Sequence, residues 1–239
     1  MKLNILAFAA HPDDVELACS GTLAKHAEMG ELVGIIDLTK GEMGTRGTPE
    51  QRLDEAATSA DILGLKVREN LGFDDVFFKN DLAHQTEIVK KIRQYQPDII
   101  LANAISDRHP DHGRASELIS ESVFLAGLKK FETTDDQGNT QAAYRPNKVY
   151  HYIQSWPITP DFVVDVSEQW EKKMKSIKAF DSQFYKQGSD EPETYISSPR
   201  FMKMIEARAM EFGQIVGVDY AEGFTVERYL GVKDLNGLI

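Results

Sequence analysis

The chain has 239 residues, of which 41% are hydrophobic and 27% charged, and its formal charge is −11. This apolar content supports a sizeable buried core and excludes disorder as the starting picture. The negative charge repels phosphate backbones and anionic lipid, so neither nucleic acid nor a membrane is the expected partner. The one cysteine, Cys19, has no internal disulfide partner and fits a reducing, cytoplasmic compartment.

In chain order, residues 3–10 form an apolar run between Lys2 and the polar His11-Pro12-Asp13-Asp14. The run is far shorter than the roughly 18 apolar residues of a membrane span. Its abrupt polar end predicts a buried strand rather than a secretory leader. Residues 15–29 carry helical spacing and stop at Gly30, and 32–38 form the next strand. Thr48-Pro49 predicts a helix start, with Thr48 as N-cap, and that helix runs to about Leu63 and ends at Gly64. A short strand at 67–71, a helix at 82–95, an apolar strand at 97–103 and a helix at 112–128 follow. Strands at 149–154 and 162–166 come next, with polar loops expected at 133–144 and 188–192. From Ser167 the pattern is helical but less regular, and a last short strand is expected near 225–230. Strands alternating with helices predict an α/β fold: one domain over 1–239, with an open, mostly parallel sheet, helices on both faces and a C-terminal helical and strand extension.

In such sheets ligands gather at the carboxyl ends of the strands. The most polar clusters of the sequence fall at two such ends, His11-Pro12-Asp13-Asp14 after the first strand and Asp107-Arg108-His109-Pro110-Asp111-His112 after the 97–103 strand. Glycine-rich dinucleotide and phosphate loops and the GxSxG elbow of serine hydrolases are absent from the sequence. What remains is histidine and carboxylate chemistry. A hydrolytic zinc site takes three such ligands and keeps a position for water. His11, Asp14 and His112 supply the ligands, Asp13 a general base and His109 an acid or oxyanion partner. The competing roles are local: Asp13 or Asp14 as N-caps of the helix that starts near Val15, and His109 or Asp111 as loop-stabilising groups.

AHPDD followed by a helix, with HPDH about a hundred residues later, resembles the PIG-L/LmbE-like zinc N-deacetylases. The resemblance implies a Rossmann-like fold and a zinc ion, or another divalent cation, on His11, Asp14 and His112. It implies Asp13 as the base, His109 as the group that stabilises or protonates the tetrahedral intermediate, and Asp111 as an orienting neighbour. The stretches KGEMGTRGTPEQR at 40–52, DSQF at 181–184, IEARAMEFG at 205–213 and YAEGF at 220–224 resemble the bacterial branch that acts on N-acetylglucosaminyl-malate in bacillithiol synthesis. That branch implies a small amino-sugar conjugate as substrate and a homo-oligomer, with a hexamer among its forms. A malate group carries two carboxylates, which makes Arg46, Arg52 and Arg108 candidates for gripping it, and Glu42 a candidate for the sugar hydroxyls. His26, mid-helix beside Lys25, is expected to be solvated, and His84 and His151 have no adjacent ligand partner and are expected to be structural. The alternatives are a deacetylase of another amino-sugar, a nucleotide-sugar transferase and a non-catalytic metal-binding protein on the same fold.

Overall fold

The computed structural model describes residues 1–184, 192–234 and 236. Seven strands form one sheet in the order β3-β2-β1-β4-β5-β7-β6. β1 (Ile5–Ala9), β2 (Val33–Thr39), β3 (Val67–Phe73), β4 (Ile99–Ala102) and β5 (Lys148–Tyr152) pair in parallel. β7 (Ala221–Val226) lies antiparallel between β5 and β6 (Phe162–Asp165). The mostly parallel α/β sheet is therefore as expected. The last strand begins four residues earlier than the 225–230 pattern predicts. Its pairing on both sides sets the boundary: Phe224 is opposite Tyr152 on one side and Phe162 on the other.

β1 shows why this sheet needs covering twice. Leu6 and Phe8 point to one face and Ile5, Ala7 and Ala9 to the other, the two-residue period of a strand. The first face packs on α3 (Leu82–Tyr95) and α4 (Pro110–Ala126) through Ile88, Ile92, Leu118 and Ile119. The second packs on α1 (Asp14–Glu28) through Val15, Cys19 and Leu23. Beyond α1, an outer cluster joins α2 (Pro49–Leu63), α5 (Trp170–Lys178) and α6 (Pro199–Val216) through Ala56, Trp170, Ile177, Phe201 and Ile205. A one-turn 3-10 helix, Ser167–Gln169, leads into α5.

Local chemistry explains most helix ends. The Thr48 hydroxyl accepts from Gln51 N, and Gly64 takes a positive φ to close α2. α4 starts two residues before the expected 112, because the His109 ring caps it by accepting from Asp111 N. This places Asp111 and His112 in the first helical turn. α1 is broken at Cys19, where the backbone leaves helical geometry. The Glu222 carboxylate from β7 accepts from the freed Gly21 and Thr22 N–H groups at 2.9 and 2.7 Å. The expected loop at 133–144 holds one isolated bridge, Thr134 to Thr140. The expected loop at 188–192 lies outside the described residues except for Pro192. Among the described residues no helix is long and apolar enough to cross a membrane.

Candidate active site

The turns after β1 and β4, neighbours in the sheet, meet at one point as the strand order requires. His11, His109 and His112 converge so that one nitrogen of each lies within 4.8 Å of the others. Asp14 sits between two of them, with Oδ1 3.1 Å from His112 Nε2 and Oδ2 3.6 Å from His11 Nδ1. The far side of each of these two rings faces carboxylates. His11 Nε2 is 3.2 Å from Asp111 Oδ2 and 3.0 Å from Asp75 Oδ1, and His112 Nδ1 is 2.6 Å from Asp107 Oδ2. An ionised carboxylate only accepts, so the far nitrogens carry the hydrogens. In the neutral rings, His11 Nδ1 and His112 Nε2 therefore keep their lone pairs for a cation shared with Asp14, the carboxylate-histidine arrangement that orients metal ligands.

The charges agree with this geometry. Burial opposes protonation of His11, but hydrogen bonds to Asp111, Asp14 and Asp75 outweigh it and hold the imidazole well above its usual range. His112 is raised to about 9, with burial again opposed by the Asp14 charge and the Asp107 hydrogen bond. Asp14 is pushed well below the carboxylate range, its burial overcome by His112 and His11. Two imidazoles and a carboxylate around a point that attracts positive charge fit a divalent cation such as zinc. His109 differs: burial first, then the charges of His11 and His112, lower it, so its ring is neutral. Its Nδ1 accepts from Asp111 N, which leaves Nε2–H as the donor.

Asp13 occupies the N-cap position of α1 at φ 115° and makes no side-chain cap hydrogen bond. The capping alternative therefore does not describe it. A non-glycine residue at that φ costs of the order of 1–3 kcal/mol, and the surrounding structure has to impose it. Its Oδ2 is 3.1 Å from Arg52 Nη2. Burial drives the Asp13 carboxyl up to about 7 against the charge of Arg52, with Asp14 pushing the same way.

A cavity of about 370 Å³ opens over these groups, and Arg46, Arg52 and Arg108 line it. Arg52, however, is committed to the scaffold. It donates to Pro12 O, Gly41 O and Asp13, so it braces the Asp13 carboxyl. Gly41 must be glycine for this, since φ is +67° and a Cβ would fall 1.7 Å from Arg52 Nη1. Arg108 is stacked over the Tyr195 ring, its Cζ 4.3 Å from the centroid. Glu42 does not line the cavity. Its carboxylate accepts from Asp75 N at 2.8 Å and braces the turn behind His11. His26, His84 and His151 pair with Glu31, Asp81 and Glu227 away from the cavity.

Several site residues were not legible as such. Asn103 and Gln154 donate to Asp14 at 3.0 and 2.9 Å, and the Gln154 carbonyl accepts from Asn103 and Ala104 N, which fixes both amides. Both follow the carboxyl ends of strands, the one signal that points to them. Asp75 and Val76 form a turn in which Val76, at φ 69°, donates to Asp111 Oδ2. Arg208 interrupts the apolar stripe of α6 on the cavity wall.

Comparison with known proteins agrees. The family described as PIG-L, GlcNAc-PI de-N-acetylase, matches residues 6–123. A diacetylchitobiose deacetylase of Thermococcus kodakarensis is 30% identical over 92% of this chain and 81% of its own. This chain belongs to the PIG-L family. A 4-oxalmesaconate hydratase of Pseudomonas putida is 25% identical to this PIG-L chain over 75% of it and 74% of the relative. Among solved structures, the conserved protein TT1542 of Thermus thermophilus superposes with a TM-score of 0.85 at 35% identity, covering 97% of this chain and 98% of that one.

Proposed function

We propose that this PIG-L protein hydrolyses the N-acetyl group of an N-acetylglucosamine conjugate with one divalent cation, zinc, held by His11, Asp14 and His112. The observation that carries the reading is the pair of imidazole nitrogens, His11 Nδ1 and His112 Nε2, that face Asp14, beside a buried carboxyl that is not part of that set. A hydratase among the relatives means that fold alone does not choose the reaction. A bound divalent cation supplies Lewis acidity toward a carbonyl oxygen and lowers the pKa of water. Asp13, near 7, takes a proton from the attacking water and delivers it to the departing amine nitrogen. The neutral His109 donates from Nε2 to the oxygen that gains charge as the carbonyl carbon turns tetrahedral. Asp111 and Asp107 hold the two ligand rings, and Arg52 holds Asp13. The products are free amine and acetate.

The conjugate we assign is N-acetylglucosaminyl-malate, and the reaction belongs to bacillithiol synthesis in the cytoplasm, in a homo-oligomer. The stretches shared with that branch support this, as do Arg46 and Arg108 on the cavity wall, which offer an acidic protein a local site for a dianion. Incubation of purified, zinc-loaded protein with this conjugate is expected to release one acetate per amine formed. Hydration of an unsaturated acid without acetate release would replace the assignment.

A further inference from the structure

One cavity wall is a face of α6 on which Phe201, Met204, Ile205 and Arg208 recur at helical spacing. Phe201, Met204 and Ile205 are apolar, and Arg208 is the cation among them. Its Nη1 is buried and has no hydrogen-bond partner among the described residues. The acids whose charge reaches it are already engaged. Asp107 accepts from His112 and Trp156 N, and Glu222 accepts from Gly21, Thr22 and Lys173. Burial accordingly outweighs them and pushes the guanidinium below its usual range. Arginine stays charged regardless, and a buried charge with an unmet donor is costly unless a partner arrives from outside. Arg108, over Tyr195, brings a further guanidinium to the same cavity.

We propose that Arg208 is a specificity residue whose unpaired Nη1 binds a carboxylate carried by the substrate beyond its sugar ring. The proposal rests on the amide-hydrolase reading of the site and adds a residue to it. A phosphate offers the same oxyanion chemistry and is tested beside the carboxylate.

Wild type, Arg208→Gln and Arg208→Lys, all zinc-loaded, are compared on N-acetylglucosamine conjugates bearing a dicarboxylate, a phosphate or a neutral methyl group. In Arg208→Gln, kcat/KM is expected to fall about 10–100-fold on the dicarboxylate conjugate and less than about 3-fold on the methyl glycoside. Arg208→Lys falls in between, because an ammonium keeps the charge and loses the planar fork. Equal losses on charged and neutral substrates, or none, overturn the proposal, and so does a larger loss on the phosphate conjugate. Calorimetry of free malate binding separates this outcome from failure of the hydrolase reading. If no conjugate yields acetate, lost malate binding in Arg208→Gln still supports the anion site, and unchanged binding overturns it. The melting temperature of Arg208→Gln is expected to equal or exceed that of wild type, since no native partner is lost. A marked drop assigns the residue a structural role and overturns the proposal.

Discussion

At Asp14 the backbone N of His11, Asn103 Nδ2 and Gln154 Nε2 all donate to the carboxylate, while two imidazole nitrogens face it. The neutral donors hold the side chain in place; the rings and carboxylate together define where the proposed cation would sit. Asp107 acts one step out, by fixing which nitrogen of His112 carries hydrogen. Such partners are worth about 10–100-fold in metal affinity. Asp107→Ala is therefore expected to weaken zinc binding by that factor, read by competition with a chromophoric chelator. Unchanged affinity would mean that His112 does not need its orienting carboxylate. The proposed ligand residues stand out in the sequence because each lies in a polar turn that follows an apolar strand. Their supports are not: Gln154 reaches Asp14 from 140 residues away, and nothing local to it marks the contact.

At the scale of elements, the joint between α1 and β7 carries a burden that pattern reading does not see. α1 breaks at Cys19, and Glu222 replaces the lost helical acceptors while also holding the buried Lys173 at 2.6 Å. Removing one member of a buried ion pair leaves the other uncompensated, at about 3–5 kcal/mol. Glu222→Ala is expected to lose that much in urea denaturation, and a loss below about 1 kcal/mol would refute the pairing. α2 shows the opposite case. Its ends, Thr48 and Gly64, follow from caps that act within a few residues, so its span is readable directly. The start of α4 is displaced because an imidazole does the capping there, and β7 is displaced because its neighbours, not its composition, set the pairing.

For the whole molecule, a chain of charge −11 repels an anionic substrate at long range, but ordinary salt screens that repulsion beyond about 8 Å. Inside the cavity four arginines, Arg46, Arg52, Arg108 and Arg208, lie on the wall, and α6 brings the last of them to a site whose other groups come mainly from the carboxyl-end turns of the parallel strands and from α2. The fold class is legible from the alternation of strands and helices, whereas the closing of the cavity by α6 depends on packing among Ala56, Phe180 and Phe201, far apart in the chain. The central claim is a division of labour between adjacent residues: Asp14 holds the cation and Asp13 moves the proton. Zinc content by elemental analysis and acetate release are measured on the same samples of wild type, Asp14→Ala and Asp13→Ala. Asp14→Ala is expected to lose zinc and turnover together, and Asp13→Ala to retain zinc while kcat falls by about 10²–10⁴-fold. Full zinc occupancy in Asp14→Ala, or wild-type kcat in zinc-loaded Asp13→Ala, would contradict the account.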